Sequence, residues 1–254
     1  GIEADIKTIS ALGCYASVAI TAVTAQNTLG VRSICKVTPG VVADQIAAVM
    51  DDLHPQAIKV GMVNDAETIR AIATTLCRYP LPPMIIDPVM VSTSGSRLME
   101  PDALSLFQAT LLPLSTLLTP NIPEAELLAG RSIHGLEDMK AAARQIQRMG
   151  PKAVLVKGGH GQGREKTDLL LIDGSFHTFS SATISTRNTH GTGCTLSSAI
   201  ASFVARGQGI CEAVASAKAY LYEALRAGAD VSVGEGHGPV NHFYDPQPLI
   251  LTEQ

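Results

Sequence analysis

Apolar and polar positions along this chain follow two rhythms. Ile2, Ile6, Ile9 and Leu12 recur at helical spacing, as do Val42, Ile46, Val49 and Leu53 behind Thr38-Pro39. The same spacing predicts helices over residues 66–79, 102–112, 122–129 and 136–149. Between them lie short apolar runs, "AIKV" from Ala57, "MIID" from Met84, "STLLT" from Ser115 and "AVLVK" from Ala153. Each reads as a strand, and residues 15–23, rich in β-branched side chains, read as another, buried one. Strands apolar on both faces that alternate with helices predict a parallel sheet covered on both sides.

The stretch "DLLLIDGSFHTFSSATI" at 168–184 breaks that rhythm. Asp173-Gly174 divides it into two short runs, the pattern of antiparallel strands at a sheet edge. Two helices close the chain, near 194–205 and 210–229. No linker, repeat or low-complexity segment appears, so the expectation is one domain over residues 1–254.

Composition narrows the function classes. The chain has 254 residues, 46% hydrophobic, with a formal net charge of -4. Lys and Arg are scattered, which gives no footprint for nucleic acid or an anionic membrane. No apolar run reaches the ~20 residues of a membrane helix. The five cysteines include no CxxC and no zinc spacing, which fits a reducing cytoplasm. Cys14, Cys35, Cys77 and Cys211 are expected to be small, mostly buried apolar side chains.

Ligands of open parallel sheets bind beyond the carboxyl ends of the strands. Gln26, Asn27, Asp87, Asn121, Glu124 and Lys157 fall at such positions. Carboxamides, two carboxylates and an ammonium could hold a metal–nucleotide complex. "NIPE" at 121–124 has two readings that can coexist: a helix-capping box, and a Glu124 that orders magnesium through water. Gly158 and Gly163 have Walker A spacing, but Arg164-Glu165 stands where Lys-Ser/Thr is required. No GxGxxG sits at a strand-to-helix junction.

A phosphate site must then be built elsewhere, and "RNTHGTGCTLSSAIA" from Arg187 is the candidate. Glycines at the start of a helix let backbone N–H groups approach an anion. The alternative is an ordinary glycine-rich turn. The thiol of Cys194 favours the anion site, because a cysteine at a helix N-terminus gains thiolate character and could accept a proton from a hydroxyl.

"NTHGTGCTLSSAIA" resembles the anion-hole segment of ribokinase-superfamily kinases, in the variant with cysteine in place of aspartate. Together with "GIEADIKTISALG", "TAVTAQNTLGV", "KVGM", "DPVMVSTSG", "LTPNIPEAELL", "VLVKGGH" and "GHGPVNHF", it is similar to the hydroxymethylpyrimidine/phosphomethylpyrimidine kinases of thiamine biosynthesis. The motifs run in order through essentially the whole chain.

The resemblance implies a ribokinase-like three-layer α/β sandwich, with helices on both faces of a mostly parallel sheet and no lid domain. It implies magnesium-dependent transfer from ATP to 4-amino-5-hydroxymethyl-2-methylpyrimidine and then to its monophosphate. Cys194 would be the base, with Gly191, Thr192 and Gly193 as the anion hole. Gln26 would bind the aminopyrimidine, Met62 and Val89 would pack on the ring, and Asp5 would face the substrate. Asp87 and Glu124 would serve magnesium, Asn121 and Lys157 the phosphates. A homodimer is also implied.

Members of that family carry a strand and a glycine-rich turn ahead of the segment matching Gly1. The expectation is that a longer chain supplies them, because losing a central strand would expose two sheet edges. Two other readings stand beside this one. Pyridoxal kinase is another ring-hydroxymethyl kinase of the superfamily, and the two activities can coexist in one protein. A non-catalytic pyrimidine sensor is the second, and a sensor would need no γ-phosphoryl site.

Overall fold

The structure, a computed structural model, describes residues 1–63, 65–90, 99–159 and 164–251. The chain divides into two compact units, one of residues 1–55 and 184–254, the other of residues 56–183.

The second unit holds a six-stranded sheet in chain order: β3 (Ile58–Val60), β4 (Met84–Ile86), β5 (Leu117–Leu118), β6 (Ala153–Val156), β7 (Glu165–Ile172) and β8 (Ser175–Ala182). β3 to β6 pair parallel, and β7 and β8 continue antiparallel. β4, β5 and β6 are buried along their whole length, which explains their unbroken apolar runs. The β7–β8 turn is Asp173-Gly174, with φ of +49° and +74°. Those left-handed values match the twist of a two-residue hairpin.

The helices of this unit are α3 (Ala66–Leu76), α4 (Pro101–Thr110), α5 (Ile122–Ala129) and α6 (Leu136–Gln147). Asp65 caps α3 by accepting from the Thr68 N–H at 2.9 Å, and Gly130 ends α5 with φ of +62°. α6 buries Met139, Ala142, Ala143 and Ile146, the 3.6-residue stripe predicted for it. Its Arg144 lies 5.0 Å over the Phe176 ring of β8. The unit is thus a mixed α/β structure whose mostly parallel sheet is flanked by helices, as expected.

The first unit holds α1 (Ile2–Ala11), α2 (Pro39–Asp52), α7 (Thr192–Ala205), α8 (Ile210–Gly228) and an antiparallel pair, β1 (Ala22–Asn27) and β2 (Gly30–Lys36). α7 packs on α1 and α8. It buries eight consecutive residues from Thr195 to Ser202, so it is enclosed nearly all round.

Two expectations fail here. Residues 15–23 are not a buried strand. Residues 14–20 have no strand pairing, none of 15–23 is buried, and the strand begins at Ala22. The Ile20 backbone is satisfied by a side chain instead: its N–H donates to Gln45 Oε1 at 2.9 Å and its carbonyl accepts from Gln45 Nε2 at 3.0 Å. Nor are the four cysteines buried. Cys35 and Cys77 are exposed, and Cys14 and Cys211 half-buried. Cys35 lies on β2, every residue of which is exposed, and Cys77 is the C-cap of α3.

Candidate active site

In the sheet unit, three neighbouring parallel strands deliver polar side chains immediately after their last residues. Asp87 follows β4, Thr119 follows β5 and Lys157 follows β6. Lys157 Nζ lies 2.7 Å from Asp87 Oδ1, and the Thr119 hydroxyl donates to the same oxygen at 3.2 Å. Burial pushes the Asp87 carboxyl up. The charges of Lys157 and Lys59, with the bonds from Lys157 and Thr119, outweigh it and hold the group below its usual range.

Asn121 is the N-cap of α5, and both halves of the predicted capping box form. Asn121 Oδ1 accepts from the Glu124 N–H at 2.9 Å, and Glu124 Oε2 accepts from the Asn121 N–H at 2.8 Å. Glu124 Oε1 also accepts from the Met90 N–H at 3.4 Å. The carboxyl is 3% exposed. Burial raises it to about 7; Lys157 pulls it down, and the charge of Asp87 adds to the rise. Met62 and Val89, expected against the substrate ring, lie in this unit, the first half-buried and the second on the loop just after Asp87. Gly158, first of the Walker-like spacing, leads to β7 and not to a helix, and Gly163 lies outside the described residues.

In the first unit the Gly-Thr-Gly-Cys turn opens α7. Gly191 is its N-cap with φ of +81°, a left-handed conformation that strains any residue with a Cβ. Thr192, Gly193 and Cys194 are the first three helical residues, so the helix starts two residues earlier than expected. The first N–H groups of a helix have no intrahelical partner and sit at the positive end of its dipole. Cys194 is half-buried there.

Ser198, one turn on from Cys194, donates to Asp5 Oδ1 at 2.7 Å, which joins α1 to α7. Gln26 is exposed on β1, where the pairing register shifts between Ala25 and Gln26.

The sequence missed several residues of these two groups. Thr119 was read as the last residue of the strand run "STLLT", whereas β5 ends at Leu118 and leaves Thr119 as the polar residue that follows it. The Met90 N–H, Lys59 and Ser198 carried no local signal, because each acts through a partner distant in sequence.

The phosphomethylpyrimidine kinase family profile matches residues 1–241. The chain belongs to the phosphomethylpyrimidine kinase family. It is 49% identical over 245 residues to the hydroxymethylpyrimidine/phosphomethylpyrimidine kinase of Rhizobium meliloti, covering 96% of this chain and 92% of that one. It is 48% identical to a thiamine biosynthesis bifunctional protein of Geobacter sulfurreducens, where the match covers 96% of this chain and 49% of that one.

Among solved structures, phosphomethylpyrimidine kinase from Clostridium difficile superposes with a TM-score of 0.80 at 43% identity, over 89% of this chain and 93% of that one. Pyridoxal kinase from Staphylococcus aureus, in complex with AMP-PCP and pyridoxal, gives 0.86 at 30% identity, over 96% and 88%. The fold is therefore ribokinase-like and the chain is a kinase, as its motifs implied.

Proposed function

We propose that this family member transfers the γ-phosphoryl group of ATP to 4-amino-5-hydroxymethyl-2-methylpyrimidine, and then a second one to the monophosphate, in thiamine biosynthesis. The observation that carries this reading is the Gly191 turn. A left-handed glycine opens α7 and sets Cys194 in its first turn, among N–H groups suited to a transferring phosphoryl group. Phosphoryl transfer is loose and depends mainly on positioning and charge stabilisation. In this reading Gly191, Thr192 and Gly193 supply backbone to the phosphoryl oxygens. Cys194 Sγ accepts the proton of the attacking hydroxyl.

Asn121 and Lys157 serve the ATP phosphates, and Asp87 and Glu124 serve magnesium. The donor set fits that ion. Mg²⁺ takes hard oxygen ligands, uses one or two carboxylates and keeps several waters. No group of three or more His, Cys, Asp or Glu that could hold a metal occurs among the described residues. Asp87 and Glu124, both buried, supply the one or two carboxylates that such a site uses. When bound, magnesium neutralises the phosphate charge. Glu124 is pushed up to about 7, so a cation beside it would favour its ionised form.

Gln26 recognises the aminopyrimidine edge, Met62 and Val89 pack on the ring, and Asp5, oriented by Ser198, faces the substrate. The enzyme works as a cytoplasmic homodimer. No helix is long and apolar enough to cross a membrane among the described residues.

The pyridoxal kinases superpose well enough to make pyridoxal the competing substrate. ADP release measured with hydroxymethylpyrimidine, its monophosphate and pyridoxal separates the readings. The expected order places both pyrimidines far ahead. Release with pyridoxal alone would make it a pyridoxal kinase, and release with none of the three would overturn the proposed substrates.

A further inference from the structure

The motif "GHGPVNHF" near the end of the chain has no part in the chemistry above. In the structure it touches the segment carrying the Gly191 turn at both ends. Ahead of the turn, the His190 N–H donates to the Gly238 carbonyl at 3.1 Å, and His190 bridges to Pro239. Asn188, 4% exposed, donates from Nδ2 to the Gly228 carbonyl and to the Val231 carbonyl, each at 2.7 Å. A Cβ on Gly238 would collide with Asn188 Oδ1. Behind the turn, Thr195 is fully buried and its hydroxyl lies 3.1 Å from His242 Nε2. His242 is fixed in turn, because its carbonyl accepts from the Tyr220 hydroxyl at 2.8 Å. Asn241 donates its N–H to the Ala224 carbonyl of α8 at 3.0 Å.

We infer that residues 236–242 form a clamp that sets the geometry of the Gly191–Cys194 turn, with His242 and Asn188 as positioning residues for phosphoryl transfer. The inference rests on the reading of that turn as the phosphoryl site. Its physical logic is that a glycine turn has wide conformational freedom. A misplacement of 1 Å at a reacting centre can cost about 10²-fold in rate. A turn required to hold backbone groups against a phosphoryl oxygen therefore needs outside support. Thr195 is the residue next to Cys194, and His190 is the residue next to Gly191, so the support arrives immediately on both sides. Burial holds His242 down to about 4, so the imidazole that meets Thr195 is neutral at physiological pH.

The test uses Thr195→Val, His242→Leu, their double variant, Thr195→Ser and Gly238→Ala in the full chain. Single-turnover rate per folded molecule is measured beside KM for ATP and thermal midpoint. A clamp predicts that Thr195→Val and His242→Leu each lose about tenfold or more in rate, with KM for ATP little changed. The double variant loses no more than the worse single one, since both break one contact. Thr195→Ser, which keeps the hydroxyl, restores the rate. Gly238→Ala loses rate from the Asn188 side, and it decides between clamp and scaffold if Thr195→Val does not fold.

A lowered midpoint with an unchanged rate per folded molecule would overturn the inference, because the contacts would then only hold the fold. Cys194→Ser in the same series separates the two failures. If it loses rate while the clamp variants do not, the clamp is wrong and the phosphoryl site stands. If it too keeps its rate, the reading of the site falls with the clamp.

Discussion

Lys157 Nζ stands 2.7 Å from Asp87 Oδ1, and only 12% and 3% of the two side chains is exposed. The pair joins the ends of strands that are not neighbours, β4 and β6, across β5, whose Thr119 also donates to Asp87. Burying two charges is costly, and their attraction offsets that cost only while both are present. Lys157→Met should therefore destabilise the protein by about 3 kcal/mol, at the lower end for a broken buried pair because Lys59 still faces Asp87. Adding Asp87→Asn should recover most of the loss. Urea unfolding of the three proteins checks both statements.

Glu124→Gln should separate stability from turnover. The carboxyl rises from 4.5 to about 7 in the folded protein. A raised value means that the folded state holds its proton more tightly. This contribution to stability is full below about 4.5 and is lost as pH rises through about 7. At pH 8 the cost of ionising buried Glu124 amounts to about 3 kcal/mol. Glutamine stays neutral and can still close the capping box through its carbonyl oxygen. The variant should thus be more stable than wild type at pH 8 and equal at about pH 4.5. Its turnover should fall and require more magnesium. Turnover that matches wild type at every magnesium concentration would leave Glu124 as a cap alone.

Gln26 is exposed on β1, so Gln26→Ala should change stability by less than about 0.5 kcal/mol. Its effect should fall on the pyrimidine. A lost hydrogen bond to the ring edge costs about 1–3 kcal/mol, which is roughly 5- to 150-fold in affinity. Calorimetry with each ligand separately should show the pyrimidine weakened and ATP unchanged. Equal losses for both would make Gln26 a structural residue.

The parts of the fold that were legible in the sequence are those whose signal is local. β4, β5 and β6 are buried on both faces, so their apolar runs are unbroken. Asp173-Gly174 marks its turn through two left-handed residues, and Asn121 with Glu124 spells out a cap within four positions. The failures have the opposite character. Residues 15–23 have the composition of a strand, but residues 15–20 find no strand pairing, and composition does not report the presence of a partner. β2 was missed because all seven of its residues are exposed. In the site, the residues at strand ends and in the glycine turn could be read. Thr195 with His242, 47 positions apart, and Asn188 with its partners 40 and 43 positions away could not, because only the folded chain brings them together.

The measurement that bears most directly on the account is the single-turnover rate of Cys194→Ser with ATP and hydroxymethylpyrimidine. Serine keeps the size of the side chain and the first turn of α7 intact, but it does not ionise near neutral pH. Normal folding and ATP binding are expected, with a rate lowered roughly 10²–10⁴-fold, the usual contribution of a general base. Single-turnover conditions matter, since slow product release would mask a loss in the chemical step. A serine variant that transfers the phosphoryl group at nearly the wild-type rate would contradict the account, and Cys194 would then only fill space at the start of the helix.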